Sequence, residues 1–368
     1  MFARVYRAVC PAATARATDN HPMRFLKGLS PTLVGRAAAV ITVIIWTSFI
    51  VIARASADPA RGATLTPFDI ALARILGASL VLLPWGWWLV QRDRAQARSP
   101  GGTALPQQSS LLGLSPLSLR ITATAGVFGG LLYAMLAYSG FVFAPAAHAS
   151  VLMPGSLPLW TALLAIWIPG DRITPARAMG LAFIVLGDLM VGGASLLHAF
   201  DGGHVWKGDV LFMTAAFCWS IYSVLARRHK LDAVRATIAI TAFAFFTYVP
   251  VYGLLLALHA VPSHFFTAPI GDVLFQMFFQ GCGSVVISGI TFTKMIQHFG
   301  PVRSTMITAL VPGLSALAAV VFLGEPLHWN LSAGLVLVTV GILFGVRAVA
   351  PAAIKKEAAQ AYSTGARG

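Results

Sequence analysis

The sequence predicts an all-α integral membrane protein in which ten transmembrane helices form two inverted five-helix repeats. The first reason is composition, because 57% of the 368 residues are hydrophobic and only 10% are charged. The mean hydropathy is +0.78. Soluble domains carry about a quarter charged residues, so lipid is the solvent to which this chain is adapted. The apolar runs are roughly 20 residues long and do not alternate, which indicates spanning helices rather than barrel strands.

The second reason is an internal repeat at an offset of 154 residues (312 minus 158). Residues 158–187 read PLWTALLAIWIPGDRITPARAMGLAFIVLG, and residues 312–341 read PGLSALAAVVFLGEPLHWNLSAGLVLVTVG. The two stretches align without a gap, and the acids Asp171 and Glu325 coincide. Each copy is an apolar run, a Gly-acid break and a second apolar run, which is the pattern of a membrane hairpin that occurs twice.

Repeat 1 is predicted over residues 34–197 and follows a basic tail at residues 1–33, in which Met23 is an alternative start to Met1. An Arg-rich, acid-poor start is also typical of a mitochondrial transit peptide, but a cytoplasmic tail is the favoured interpretation. The five helices of this repeat are expected at 35–54, 68–90, 121–143, 148–169 and 176–197. Residues 91–120 are polar, rich in turn formers and without periodicity, so a disordered loop is expected there.

Repeat 2 is predicted over residues 208–350 and ends in a polar cytoplasmic tail at residues 351–368. Its helices are expected at 208–227, 234–258, 271–298, 302–323 and 329–349. The link between the third and fourth of these helices is short, at residues 300–301. The ends of the first helices of the two repeats also correspond, with Arg54 aligned to Arg227.

The distribution of positive charge predicts the topology. Five helices per repeat is an odd number, so the second repeat enters the membrane in the opposite orientation. With the N-terminus inside, 22 of the 26 Lys and Arg residues lie in predicted inner segments and three lie in outer ones. By the positive-inside rule, this predicts cytoplasmic N- and C-termini in a multi-pass protein of the cell inner membrane. The same bias accounts for the net charge of +14 without a nucleic-acid partner.

Several residues and motifs occur in one order across residues 35–350. They are Trp46, Arg74, Tyr133, Tyr138, the PLWTALLAIWIPGDRI segment, Trp219, the HFGP segment and the GEPL segment at residues 324–327. Together with the duplication, this order resembles the drug/metabolite transporter (DMT) superfamily, in its EamA-type ten-helix branch. The resemblance implies export or exchange of small metabolites, often amino acids, by alternating access around a central cavity that both repeats form. One departure is Asp171, where family members usually carry Glu; the charge is kept.

Arg74 is a candidate substrate-binding residue because it lies within the second predicted helix. An arginine inside the membrane costs about 2.5–3.5 kcal/mol on insertion scales, so it usually faces a cavity or a partner. One interpretation is contact with a substrate carboxylate or with a gate acid such as Asp69. The other is that the side chain snorkels to the outer headgroups. The sequence leaves both interpretations open.

Aromatic residues with polar tips are the other candidates for lining a substrate cavity. They are Trp46, Tyr133, Tyr138, Trp160, Trp219 and Tyr222. Each can line a pocket and offer one hydrogen bond, whereas packing against a neighbouring helix is the alternative for any single residue. As a set on four predicted helices, they indicate a cavity for an apolar or zwitterionic metabolite.

Asp188 lies inside the fifth predicted helix and is a candidate coupling carboxylate. The alternatives are an acid near the outer surface or a hydrogen bond to a neighbouring helix.

Pro158 and Pro312 are hinge candidates, because prolines inside helices free backbone carbonyls, although they can also serve only to bend helices for packing. The Gly324-Glu325 pair is expected to end one helix with a glycine and to place an acid near the start of the next.

The sequence therefore predicts a secondary transporter that exports or exchanges small metabolites, amino acids or related compounds. The alternative is a broad-specificity drug or cation efflux transporter, which needs acids in the cavity, and Asp188 is the one strong candidate. No GxxxxGK[ST] loop occurs, so ATP drive within the chain is not expected. Scattered histidines disfavour a membrane enzyme, and the inverted duplication disfavours a receptor or scaffold. The expected partners are a small-molecule substrate and the lipid bilayer, with no cofactor and no metal; a homodimer stays open.

Overall fold

The computed structural model describes residues 31–99, 109–165, 174–199, 201, 203–229 and 232–344. In these ranges the regular elements are helical, and β pairing is limited to an isolated bridge between Ser110 and Ser115. Seven of the helices are long and apolar enough to cross a membrane. The all-helical class that composition predicts is confirmed.

We number the helices in chain order. They are α1 (Pro31–Ala57), α2 (Pro67–Arg98), α3 (Leu119–Phe143), α4 (Ala146–Leu152), α5 (Leu157–Ala165), α6 (Pro175–Ala199), α7 (Val205–Arg228), α8 (Ala233–Ala257), α9 (the continuous run of Ile270–Gln276, Met277–Ile287 and Ser288–Thr308), α10 (Val311–Leu323) and α11 (Trp329–Phe344). Short 3-10 turns at Pro59–Arg61 and Leu111–Gly113 precede α2 and α3.

The start of α2 is fixed by its local sequence. Thr66 is the N-cap, and its hydroxyl accepts a hydrogen bond from the Asp69 N–H at 3.2 Å. The Asp69 carboxylate accepts in return from the Thr66 N–H at 3.0 Å, which completes a capping box. Pro67 follows in the first turn, where the missing N–H breaks no helical hydrogen bond.

The prediction of a disordered loop over residues 91–120 is wrong for the parts that the structure describes. Helix α2 continues through residues 91–98, because the segment QRDRAQAR consists mostly of good helix formers. Asp93 in this extension pairs with Arg235 of α8, which ties the end of α2 to the protein. Ser115, just before α3, is held by a 2.6 Å hydrogen bond to Thr122. Residues 100–108 lie outside the described residues.

The fourth and ninth predicted helices are both interrupted, at matching points of the two repeats. The predicted helix at 148–169 is two helices, α4 and α5, separated by a turn at residues 153–156. In repeat 2 a break at residues 309–310 separates α9 from α10. Pro158 and Pro312 are the second residues of α5 and α10, where proline fits without loss of a helical hydrogen bond. The prolines thus start new helices rather than bend continuous ones.

The predicted link at residues 300–301 is wrong, because α9 continues through it to Thr308. Pro301 fixes φ near the helical value, but it removes one N–H donor and crowds the carbonyl four residues earlier; the helix passes through it nonetheless. Helix α9 is therefore longer, and α10 shorter, than the sequence pattern indicates.

Helices α3 and α9 each contain a π-helical stretch, at Val127–Leu132 and Met277–Ile287. At the offset of 154 residues, the first stretch falls on residues 281–286, inside the second. Such stretches make up well under 1% of residues in globular proteins, so their coincidence is unlikely to be independent. The duplication seen in the sequence therefore extends to a local backbone irregularity.

Helices of one repeat pack extensively against helices of the other. Helix α1 packs against α9 and α10, and the corresponding α7 packs against α3 and α5. The main apolar core lies in this shared interface and includes Tyr138 and Phe141 from α3 and Phe212 from α7. The two repeats consequently form one body.

Reciprocal glycine contacts join α6 to α11. A Cβ atom added to Gly187 would lie 2.7 Å from the Gly334 carbonyl oxygen, and one added to Gly341 would lie 2.5 Å from the Gly180 carbonyl oxygen. In the repeat, Gly180 aligns with Gly334 and Gly187 aligns with Gly341. Gly187 therefore contacts the counterpart of Gly180, and Gly180 contacts the counterpart of Gly187. The order of the contacts shows that α6 and α11 run antiparallel.

Candidate functional site

Arg74 lies where the two repeats meet. Its Nη1 atom donates to the Tyr138 hydroxyl at 3.4 Å, and that hydroxyl donates to Oε1 of Gln280 at 3.1 Å. The Arg74 guanidinium also lies 5.9 Å from the centre of the Phe49 ring, within range of a cation–π contact. This hydrogen-bonded chain connects α2 and α3 of repeat 1 to α9 of repeat 2.

Two polar groups of this chain keep unused hydrogen-bonding capacity. The side chain of Gln280 is fully buried, and its Nε2 atom has no hydrogen-bond partner among the described residues. Arg74 is half-buried, and no carboxylate of the described part of the chain forms an ion pair with it. Together they present N–H donors that an acceptor on a ligand can satisfy.

Asp69, the acid considered as a partner for Arg74, is bound elsewhere. Its carboxylate accepts from the Tyr252 hydroxyl at 3.0 Å, from the His264 N–H at 2.9 Å and from the Ser263 hydroxyl, in addition to the capping contacts with Thr66. The side chain is fully buried. Asp69 therefore ties the start of α2 to α8 and to the α8–α9 connection.

Four aromatic candidates lie in the same region as Arg74. Tyr138 bonds it directly, and Tyr133, on the same helix, packs against the apolar core that contains Tyr138. The Tyr133 ring centre lies 4.9 Å from that of Trp219, which in turn lies 5.2 Å from that of Tyr222. We call Arg74, Tyr133, Tyr138, Trp219, Tyr222 and Gln280 the central cluster.

The other two aromatic candidates contact different residues. Trp46 packs against Phe292 of α9 with ring centres 5.1 Å apart. Trp160 packs against Phe217 of α7 with ring centres 5.2 Å apart. The structure thus places five of the seven predicted cavity residues in one region, and these two in other surroundings.

An ion-pair network joins the end of α1 to the α10–α11 connection. Arg54 pairs with Asp58 at 2.8 Å and with Glu325 at 3.3 Å, and it also donates to the Phe141 carbonyl of α3. Arg61 pairs with Asp58 at 3.3 Å and donates to the Leu323 carbonyl at 2.8 Å. The side chains of Arg54 and Glu325 are 13% and 6% exposed, so this pair is largely shielded from solvent. We call Arg54, Asp58, Arg61 and Glu325 the clasp.

Glu325 corrects one prediction. Gly324 ends α10 in the left-handed conformation with φ of 65°, as expected of a helix-terminating glycine. The acid, however, does not serve the helix that follows it. Its two carboxylate oxygens accept from the N–H groups of Ala146 and Ala147 at 3.1 Å each, so it caps α4 of the other repeat. Sequence spacing misses this because the contact joins residues about 180 positions apart.

Helix α4 is held at a second point by Asp209 of α7. Asp209 is buried, and its carboxylate contacts Nδ1 of His148 at 2.9 Å and accepts from the Ser195 hydroxyl of α6. Two acids of repeat 2, Glu325 and Asp209, therefore fix the short helix α4 of repeat 1, and His148 has a structural partner.

A cavity of about 550 Å³ lies between α5, α6 and α7, and we call it the side groove. Most of its lining is apolar, but Trp160, Asp188 and Asp209 also border it. The Asp188 side chain is 7% exposed, and neither carboxylate oxygen has a hydrogen-bond partner in the described chain. Nε1 of Trp160 is also buried without a partner there. The predicted coupling acid thus lines the side groove.

Two segments of the chain, residues 33–193 and 206–347, match the model of the EamA-like transporter family. The chain belongs to this family. It is therefore a multi-pass membrane transporter, and the predicted resemblance is confirmed.

Similar proteins carry transporter names. An uncharacterized transporter of Bacillus subtilis, YyaM, is 25% identical over 64% of this chain and 75% of its own length. A probable terminal-alkyne amino-acid exporter of Streptantibioticus cattleyicolor is 28% identical over 78% of this chain and 85% of its own length. The aromatic amino acid exporter YddG of Ancylobacter novellus is 30% identical over 31% of this chain and 38% of its own length.

Sequence reasoning missed two features of this EamA-like transporter. Gln280 has no polar counterpart in repeat 1, where Gly126 aligns with it, so the duplication did not mark it. The signal that was available is a single amide side chain in the apolar run FFQGCG. The clasp was missed because Arg54 and Glu325 were each interpreted locally, Arg54 as the end of a predicted helix and Glu325 as an acid near the start of one, and no sequence signal pairs them.

Proposed function

We propose that this EamA-like transporter is a secondary transporter that exports or exchanges amino acids or related small metabolites by alternating access. The observation that carries the proposal is the central cluster. It places a guanidinium that has no carboxylate partner among the described residues, and a buried amide donor, between the two repeats. A substrate carboxylate supplies the missing acceptor and forms charge-assisted hydrogen bonds with Arg74.

The aromatic part of the central cluster supports a small organic substrate. Tyr133, Trp219 and Tyr222 are half-buried, and their rings pack against one another. Aromatic rings with polar tips can pack against an apolar side chain and still accept or donate one hydrogen bond. The arrangement therefore favours a molecule with a carboxylate at one end and a compact side chain at the other.

The reciprocal packing of α6 and α11 supports the inverted-repeat architecture. Antiparallel copies of one helix that contact each other through equivalent glycines are expected when two repeats are related by a two-fold axis in the membrane plane. We infer ten spanning segments on this basis, in which α4–α5 and α10 act as the fourth helices of the two repeats. Both termini are then cytoplasmic in an inner-membrane protein, as the charge bias predicts.

The clasp supports alternating access. It joins Arg54 of repeat 1 to Glu325 of repeat 2, on the side that the charge bias assigns to the outside. The repeat places Arg227 and Asp171 at the corresponding positions on the inner side. Asp171 lies outside the described residues, and so does the Arg227 side chain. In an inverted repeat, two equivalent ion pairs lie at opposite ends of the transport pathway. One pair can then close its end of the pathway while the other pair is broken.

The names of similar proteins point the same way. Two of the relatives described above are named as amino-acid exporters. The alternative of cation efflux needs an acid at the substrate site, whereas the described contacts of the central cluster bring a cation there and no carboxylate. We therefore favour amino acids over cationic drugs.

Counterflow in proteoliposomes tests the proposal without knowledge of the coupling ion. Vesicles are loaded with one unlabelled amino acid per sample, and uptake of a labelled neutral amino acid is followed. We expect accumulation with a subset of the panel, competition by phenylalanine and none by phenethylamine, which lacks the carboxylate. Arg74→Ala is expected to lower counterflow about tenfold or more, because a charged hydrogen bond contributes roughly 1.5–3 kcal/mol.

The matched control is Arg120→Ala at the exposed start of α3, which is expected to transport normally. Arg74→Lys keeps the charge but not the planar fork and is expected to fall between the two. Normal counterflow by a folded Arg74→Ala variant would contradict the role of Arg74. If folded wild-type protein shows no counterflow with any amino acid of the panel, the proposed substrate class is wrong.

A further inference from the structure

The side groove faces the bilayer rather than the central cluster. Leu189, Leu196 and Val210 border it and are 59%, 48% and 48% exposed. They belong to α6 and α7, which are long and apolar enough to span a membrane. Apolar side chains exposed on spanning helices contact lipid, so a molecule dissolved in the bilayer can enter the groove from the side.

Two of the polar residues of the groove, Asp188 and Trp160, have no polar counterpart in the other repeat. At the offset of 154 residues, Asp188 corresponds to Ile342 and Trp160 corresponds to Leu314. Ile342 is buried, as Asp188 is. The same helix position in the other copy is thus filled by an aliphatic side chain, and an unpaired buried carboxyl destabilises the protein that contains it. A ligand that satisfies the carboxyl gives a reason for its presence.

The two unpartnered groups define the chemistry of that ligand. Nε1 of Trp160 is a donor only, and the carboxyl of Asp188 accepts hydrogen bonds through either oxygen. A hydroxyl group both donates and accepts, so it can satisfy either group or both. An ammonium group donates only and leaves Trp160 without an acceptor. The volume of about 550 Å³ is within the range of small-molecule pockets, which are roughly 300–1,000 Å³.

We propose that the side groove binds an uncharged amphiphile from the bilayer, whose single hydroxyl bonds Asp188 and Trp160 and whose apolar body fills the groove. This site is distinct from the central cluster, which binds a water-soluble carboxylate. The pair of polar groups occurs in repeat 1 alone, because repeat 2 has Leu314 and Ile342 at the corresponding positions.

Fluorescence quenching in lipid nanodiscs tests the proposal directly. Trp160 and Trp206 both line the groove and report on a bromine atom that enters it. Three probes share one chain length and differ in the head: 11-bromo-1-undecanol, 1-bromoundecane and 11-bromoundecylamine. We expect the alcohol to reach half-maximal quenching at a concentration about fivefold to tenfold below that of the bromoalkane. That factor corresponds to roughly one net hydrogen bond.

Glycine substitutions supply a filled groove and a matched control. Gly193 lines the groove, and an added Cβ there meets open space, so Gly193→Leu fills the cavity without a clash. It is expected to remove the preference for the alcohol. Gly253→Leu in α8, where an added Cβ also meets open space, is expected to leave the preference unchanged. Gly192→Leu repeats the test if the first variant does not fold.

Substitutions of Asp188 identify the head group. Asp188→Asn keeps a donor and an acceptor and is expected to retain the preference for the alcohol, whereas Asp188→Ile is expected to lose it. Equal quenching by all three probes would mean that the probes only partition into the bilayer, and it would overturn the proposal. Strongest quenching by the amine, lost in Asp188→Asn, would make the groove a cation site instead. An alcohol preference that survives Gly193→Leu would place binding elsewhere.

Discussion

Helices α6 and α11 are copies of one helix that pack against each other, and they differ in what they carry. Both keep the glycines through which they approach, Gly187 on α6 and Gly334 on α11. Only α6 carries a buried acid, Asp188, where α11 has Ile342. The comparison separates two kinds of constraint. At this contact the shared glycines hold the repeats together, and we expect the acid found in one copy to serve the chemistry of that copy.

The largest loss of stability is expected at Glu325, an acid of repeat 2 that caps a helix of repeat 1. Glu325→Ala removes the partner of Arg54 and the two N-terminal hydrogen bonds of α4. Loss of a buried ion-pair partner costs roughly 3–5 kcal/mol, and Arg54 keeps Asp58, so we expect a loss of about 3 kcal/mol in the free energy of unfolding. Unfolding in denaturing detergent measures it.

The control for Glu325 is Asp201→Ala, because the Asp201 side chain is 82% exposed and its removal is expected to change nothing measurable. Glu325→Asp, which installs the acid of the first copy, is expected to restore only part of the stability. If Glu325→Ala is as stable as the Asp201→Ala control, the clasp does not stabilise the contact between the repeats.

A smaller effect is expected at the shared glycines. Gly187→Ala places a methyl group 2.7 Å from the Gly334 carbonyl oxygen, and Gly334→Ala places one 2.8 Å from the Gly187 carbonyl oxygen. Overpacking of this kind costs roughly 1–3 kcal/mol, and the reciprocity predicts similar losses for the two variants. Thermal unfolding of the purified protein measures both.

Gly193→Ala in the same helix is the control for Gly187, since its Cβ meets open space. Alanine is the better helix former, so this variant is expected to keep or slightly raise the stability. Unequal losses at Gly187 and Gly334 would show that the α6–α11 contact is not the symmetric interface that the two copies suggest.

The smallest effect, and one of opposite sign, is expected at the position where the copies differ. Asp188→Ile gives α6 the residue of α11 and removes an unpartnered buried carboxyl. Burial of an unsatisfied polar group costs roughly 1–3 kcal/mol, so the variant is expected to gain about 1 kcal/mol of stability. Asp188→Asn should not gain as much. A clear loss of stability in Asp188→Ile would assign Asp188 to the fold rather than to a ligand.

Periodicity and duplication were sufficient to predict the helical class, the positions of most helices and five of the members of the central cluster. They failed where structure depends on contacts between copies. The extension of α2 through residues 91–98 depends on Arg235 of α8, and the role of Glu325 depends on α4 of the other repeat. Pro158 and Pro312 were visible as helix interruptions, but the sequence did not show that each starts a new helix.

The site was predicted less completely for a similar reason. Trp160 and Trp219 are both aromatic residues in apolar runs, and the sequence gives no ground for separating them. The structure assigns one to the side groove and the other to the central cluster, because α5 and α3 contact different faces of α7. A residue's type predicts that it can line a pocket, but only the packing of its helix decides which pocket.

The interlocked packing of α1 with α9 and of α7 with α3 constrains biosynthesis. Chains are made from the N-terminus, and domains that are complete in themselves fold as they emerge. Here α1, α3 and α6 cannot bury their contact faces until α9, α7 and α11 have left the ribosome and entered the bilayer. The newly inserted first half must therefore persist in the membrane as an open assembly with unpaired glycine faces, and the native protein forms in one late step that both halves share.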